Sequence, residues 1–476
     1  MNDVRLRIVW LVSCLGLLAS CLAVRAAEPA DPSPAASAAA SRLVAAGTGF
    51  AYDREYPFIG YSGMPQHNDV AHLEARMKSA KVKLEYREPR GYLDSLLLAL
   101  RIDPDSQSLV FSKTSLQTGL ISPETPRAIY FNDDTYVAWI SHSSLIEIST
   151  MDSMMGAVFY TMSNQPPEPA RFERETLRCL NCHDTFFLSG GGVPSFLFLS
   201  AYTRREHEII TKDVAQQTTD ATALADRWGG WYVTGSLGGL QHLGDILPSP
   251  TGAIAVASLH RKDIAHLDGL FDTTPYLTDT SDVVALLVLE HQVYLHNLII
   301  RANYKSRMWM ERLSPGSSTA SLSWEQLPVL EQGKLAALLE PLVRAMLFVD
   351  AATLPAPIRG GSGFARSFEA RGPRDAQGRS LRDLDLHSRL FKYPLSFLIY
   401  SEGFDYLPLA AREFIYRRLA EVLTARSASE GFSSLSAADR GAIFEILRAT
   451  KPGFVRELER KAALTTSSSA STWRVR

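Results

Sequence analysis

The chain has 476 residues, 46% of them hydrophobic, and its 49 basic and 51 acidic side chains leave a net charge of −2. That length and apolar content build an ordinary hydrophobic core, divided into lobes of about 100–200 residues each. The near-neutral balance lacks the basic surface that a nucleic-acid partner needs.

At the N-terminus Arg5 and Arg7 precede an apolar run from Ile8 to Val24, a charged region followed by a hydrophobic one. Val24-Arg25-Ala26 offers a cleavage point, so residues 1–26 read as a signal peptide. Leu18-Ala19-Ser20-Cys21 also looks like a bacterial lipobox, and cleavage there would leave a lipidated Cys21 tethered to a membrane. A retained transmembrane helix fits less well, because Ser13, Gly16 and Ser20 interrupt a short run. No other apolar run reads as long enough to span a bilayer. Either cut predicts export, to a periplasmic or lipid-anchored location.

Residues 27–46, rich in Ala, Pro and Ser, read as a flexible tether. A short helix is predicted from Asp69 to Lys83, with His72 on its solvated side. Residues 107–162 are β-rich, with strand-like runs at 108–111, 128–131, 135–140 and 157–160. Asn132-Asp133-Asp134 reads as a hairpin turn, a better reading than a cation site. Strands are predicted to resume at 230–234 and 253–257. From about 280 the pattern turns helical. Ser281 or Asp282 caps a helix to Tyr304, followed by helices over 335–349 and 410–424. The last begins at Ser436-Ala437-Ala438-Asp439, a capping box, and ends at Lys451 before Pro452. The expected fold class is α+β: a mixed β-rich region over 47–260, a largely helical region over 261–460, and a disordered tail over 461–476.

Within the β-rich region lies Cys179-Leu180-Asn181-Cys182-His183. Two thiols three residues apart can each add to one vinyl group of a haem, and the adjacent histidine can bind its iron. A structural zinc site would take four Cys or His ligands, yet the other two cysteines, Cys14 and Cys21, fall in the export segment. A thioredoxin-like pair expects a preceding strand, whereas the charged run 171–175 that precedes the motif here reads as a loop or a helix turn. Cleavage after Ala26 would leave only Cys179 and Cys182, both consumed by haem, so no disulfide is expected. The following Ser189-Gly190-Gly191-Gly192-Val193-Pro194 would let backbone approach a flat ring without Cβ clashes.

The second axial ligand is harder to read. No methionine occurs between Met162 and Met308, although Met151, Met154, Met155 and Met162 lie upstream. Downstream histidines are His207, His242, His260, His266, His291, His296 and His387. His242 follows Arg227-Trp228-Gly229-Gly230-Trp231-Tyr232, whose aromatics and glycines suit a haem crevice and whose Arg227 suits a propionate. His291 and His296 lie five residues apart, about 140° around a helix, so they cannot grip one ion together. His291 continues the stripe of Val284, Leu287, Tyr294 and Leu298 and points inward. His242 or His291 is therefore the candidate distal ligand. Residues 359–392 carry eight basic side chains against four acidic ones, a solvated loop or a surface for an acidic redox partner.

The Cys-x-x-Cys-His motif resembles that of the c-type cytochromes. More of the chain is similar to exported bacterial proteins described as cytochrome c domain-containing, in the segments from Ser122-Pro123 through Val137, Arg227 to Gly235, Glu290 to Asn297, and Leu390 through Asp405. The resemblance implies one covalent haem c and export, with no implied substrate. The lack of a downstream methionine departs from the small electron shuttles. In those cytochromes a backbone carbonyl beside a proline accepts the proximal imidazole proton, which here points to Pro194. The expected function is an exported monohaem c-type cytochrome, moving electrons for a redox partner protein. The alternative is a haem enzyme, peroxidase- or oxygenase-like, or a ligand sensor, with an open distal face.

Overall fold

Short β-branched and aromatic runs separated by tight turns favour neighbour-to-neighbour pairing, and that is how the centre of the chain folds. The computed structural model describes residues 53–56, 58–166, 170–185, 192–201, 216–246, 263–313, 322–425 and 431–471. The expected signal peptide and tether, Ser189-Gly190-Gly191, His207, His260 and the run 253–257 lie outside them.

Two helices come first, α1 (Asp69–Lys78) and α2 (Leu93–Leu100). Asn68 caps α1 by accepting from the Ala71 amide, and His72 is exposed as expected. An antiparallel six-stranded meander follows: β1 (Ser108–Val110), β2 (Arg127–Phe131), β3 (Thr135–Trp139), β4 (Leu145–Asp152), β5 (Gly156–Ser163) and β6 (Phe172–Arg174). The β2–β3 turn forms as predicted, because the Asn132 side chain accepts from the Asp134 and Thr135 amides. The charged run before the motif is not the expected loop or helix turn, because Phe172–Arg174 pairs with β5 as an edge strand. The motif then forms a single helical turn, α3 (Leu180–His183), ahead of a two-stranded ribbon of β7 (Leu199–Ser200) and β8 (Gln216–Gln217).

The predicted strand at 230–234 is instead a chain of single bridges, Val110 to Trp231 and Thr234 to Asp282. The left-handed backbone of Trp228 and Gly230 bends this segment away from regular pairing.

The helical half comprises α4 (Val283–Leu313), α5 (Val329–Met346), α6 (Phe364–Glu369), α7 (Glu402–Asp405), α8 (Leu409–Thr424), α9 (Ala437–Thr450) and α10 (Pro452–Ser471). Asp282 starts α4 by accepting from the Val284 and Ala285 amides. Ser436 and Asp439 form the predicted capping box of α9. Pro452 does not end helical structure. It occupies the first position of α10, where a missing N–H costs nothing, and helix continues to Ser471 through the expected tail.

α4 is apolar nearly all round. It is long and apolar enough to cross a membrane, yet 89% of its apolar window is buried in the protein, as befits a central core helix. Its side chains share one hydrophobic core with strand residues such as Tyr136, Val158 and Phe159. Tyr52–Arg476 therefore forms one compact unit in place of separate lobes.

Candidate functional site

Residues that face each other across paired strands point to the same side of a sheet. Ile129, Ala138 and Glu147 form one such row, and Phe131, Tyr136, Ser149 and Phe159 form the next. Arg127, two residues before Ile129, joins the same face. The opposite face carries Tyr130, Val137, Ile148 and Tyr160, packed into the core. The first face is one wall of a cavity of about 320 Å³, near the lower end of ligand cavities. The motif turn, the 196–199 loop with Trp231, and Leu289 and Val293 of α4 complete the lining.

Each side of the motif is fastened. Leu180 anchors the turn in the core, 5% exposed. Glu175 accepts from Thr161 (2.9 Å) and Arg178 (3.0 Å), holding the chain that enters Cys179. Arg54 pairs with Asp184 directly after the motif, and its amide donates to the Gly192 carbonyl at 2.9 Å. Gly192 adopts φ +77°, which glycine takes without strain.

His183 is the best-defined group. Its Nδ1 lies 2.8 Å from the Ser195 carbonyl, and the Ser195 amide donates to the His183 carbonyl at 2.9 Å. A carbonyl only accepts, so Nδ1 carries the proton and Nε2 keeps its lone pair. Burial holds the imidazole down to about 4, so the ring is neutral at ordinary pH. It packs on Phe159, with centroids 4.3 Å apart. The accepting carbonyl lies one residue beyond Pro194, the marker expected from the sequence. Asn297 of α4 clamps the next residue, accepting from the Phe196 amide and donating to its carbonyl, both at 2.9 Å. No role for Asn297 was legible in sequence, because its partner lies 101 residues away.

Burial, then Glu175 and Glu147, push the Cys179 thiol up to about 12. A reactive redox pair needs the reverse shift. Cys182 is exposed at the cavity edge. Among the described residues, no three His, Cys, Asp or Glu side chains converge as a metal-binding group.

Lys113, Arg127 and Arg178 share the lining with the carboxylate of Glu147, and Arg178 is already paired with Glu175 behind it. Arg127 meets Glu147 at 3.4 Å, and its buried Nε has no hydrogen-bond partner. Glu147 also accepts from Ser115 (2.6 Å) and Gln117 (3.0 Å).

The candidate distal histidines lie elsewhere. His291 places Nδ1 2.8 Å from Asp220 and Nε2 2.8 Å from Ser396, so both ring nitrogens are occupied. This chain has the connectivity of a hydrolytic triad, but Ser396 is fully buried and caps the turn at Leu398. It fastens α4 to the C-terminal region. His242 is buried against Trp228 and accepts from the Gly244 amide at 3.1 Å. Neither it nor His291 is among the described lining residues, which contain no methionine and no histidine besides His183.

Arg227 is spent on Glu290 (2.9 Å) in the core rather than facing the cavity. Several cations of the basic 359–392 segment pair with carboxylates, mostly elsewhere in the fold: Arg382 with Asp133, Arg379 with Asp375 and Glu445, and Arg389 with Asp439.

No protein-family model, no curated protein and no solved structure matches the chain.

Proposed function

We propose that this chain is an exported monohaem c-type cytochrome, with Cys179 and Cys182 as thioether anchors and His183 as the axial ligand. One observation carries the reading: His183 is tethered through Nδ1 to the Ser195 carbonyl and stands with both thiols on the wall of a largely apolar cavity that also holds Lys113 and Arg127. The donor set suits a macrocycle that brings four nitrogens of its own and asks the protein for one. When bound, haem supplies a one-electron couple at its iron. Arg127 and Lys113 offer positive charge for carboxylate side groups, with the unpartnered Arg127 Nε as an available donor. The Ser195 carbonyl orients the imidazole and raises its basicity.

A second reading is favoured by the lining itself. With no further histidine or methionine among the described lining residues, the face opposite His183 suits an open site, as a haem enzyme or sensor needs. Carbon monoxide separates the two readings. Protein from a host able to attach c-type haem is reduced with dithionite and exposed to the gas. An unshifted low-spin spectrum favours electron transfer alone, and a shift favours the open site. Absence of any haem signal contradicts both.

A further inference from the structure

Behind the cavity wall lies a second cluster that the reading above does not use. Tyr136 lines the cavity, and its hydroxyl meets His296 Nδ1 at 3.0 Å and receives Gln292 Nε2 at 3.0 Å. His296 continues the α4 stripe of Leu289 and Val293, one turn deeper. It is fully buried, and its Nε2 has no hydrogen-bond partner. That nitrogen faces Asp134 Oδ1 at 3.9 Å, roughly 1 Å beyond a direct hydrogen bond. The Asp134 side chain is 33% exposed, so the series runs from cavity to solvent.

The donor inventory allows two complete arrangements. With Asp134 ionised, Tyr136 donates to Nδ1, and Nε2–H faces the carboxylate. With Asp134 protonated, its O–H faces Nε2, and Nδ1–H faces the tyrosine oxygen. The tyrosine proton is then free to turn toward the cavity. The two arrangements differ by one proton, gained at the surface and presented at the cavity wall.

We propose that Asp134, His296 and Tyr136 form a proton relay that couples arrival of an electron in the cavity to uptake of a proton from solvent. The inference rests on the haem reading. The electron comes from a one-electron donor, a partner protein or a mediator, and the proton from water. No bond between heavy atoms forms or breaks. Uptake of both leaves the net charge unchanged, which is cheaper than adding an electron alone to a low-dielectric site.

The surroundings of Asp134 suit an exchange near neutral pH. Desolvation first, then Asp133, Asp69 and Glu402, push its carboxyl up to about 8, against the opposing charge of Arg382. Arg371 meets Asp133 at 3.5 Å in the same cluster. Burial lowers His296 to about 3, so it passes protons as a neutral ring and does not store them.

The test is spectroelectrochemical titration of the haem-loaded protein between pH 6 and 10, for wild type, D134N and Y136F. The reduction potential of wild type falls as pH rises around 8, approaching 59 mV for each tenfold change in proton concentration. D134N flattens this dependence and Y136F weakens it. Infrared difference spectra on reduction gain a protonated-carboxyl band that D134N lacks. A slope that survives D134N overturns the relay, and one untouched by Y136F overturns the part given to Tyr136. Protein that carries no haem overturns the haem reading and this inference together, whereas loaded protein with a pH-independent potential overturns the relay alone.

Discussion

At His183 the Ser195 carbonyl fixes both tautomer and ring plane, and burial keeps the ring neutral. Two charged neighbours, Arg127 and Glu147, act on it in opposite senses. Their effects on the proposed haem therefore have opposite signs. Removing the cation with R127Q lowers the reduction potential, and removing the anion with E147Q raises it, each by an amount on the order of 1 kcal/mol. Potentiometry of both variants checks this, and shifts of the same sign contradict the placement of the pair beside the redox centre. The proposed anchors and ligand, Cys179, Cys182 and His183, stood out in the sequence because they are contiguous. Arg127 and Glu147 were not legible, since only strand pairing brings them together.

Among the elements, α4 organises the site. Leu289 and Val293 line the cavity, Asn297 clamps the Phe196 loop, and Asp282 caps the helix start. Asp282 also accepts from the Ser362 amide and hydroxyl through its second oxygen. D282A should cost about 2 kcal/mol of unfolding free energy, read from denaturant titration, and D282N less, because the amide keeps one acceptor for the helix start. Equal losses would remove the capping account. His291 secures the same helix from its other side. H291Q should leave the haem spectrum unchanged while lowering stability by about 1–3 kcal/mol, and loss of the native spectrum would restore His291 as a ligand. The cap at Asp282 and the capping box at Ser436 were legible because they are local patterns. β4 was not picked out, although its 145–149 stretch alternates half-buried and buried residues once paired. The inward direction of His291 was read correctly. Its partners Asp220 and Ser396, 71 and 105 residues away, could not be read from a helical wheel.

In the haem-free chain, the groups shifted furthest between pH 3 and 8 are His183, His296, Asp134 and Glu290. His183 and His296 fall to about 4 and about 3 from an ordinary 6.5, so the unfolded chain binds their protons first. Their contribution is lost as pH drops below 6.5 through those values. Asp134 rises from 3.8 to about 8, so its contribution is full below 3.8 and is lost as pH climbs to 8. Glu290, pushed by desolvation up to about 7, acts in the same sense as Asp134, so the two histidines and the two carboxyls cancel between about 4.5 and 6.5, and stability falls as pH rises above that plateau. Urea midpoints of the haem-free chain from pH 4 to 9 check the plateau, and D134N should make the decline on its alkaline side shallower, leaving the part due to Glu290. A midpoint that rises through pH 8 in wild type contradicts the account. The α+β architecture was legible at this scale, from strand runs followed by helical ones. The single shared core was not, because length alone suggests separate lobes.

The central claim, covalent haem at Cys179 and Cys182, is tested most directly by the intact mass of denatured protein made with the c-type haem attachment machinery. Wild type should carry the mass of one haem, retained through denaturation. C179A with C182A should carry none. Wild type at the mass of the bare polypeptide, from a host shown to mature other c-type cytochromes, would contradict the account.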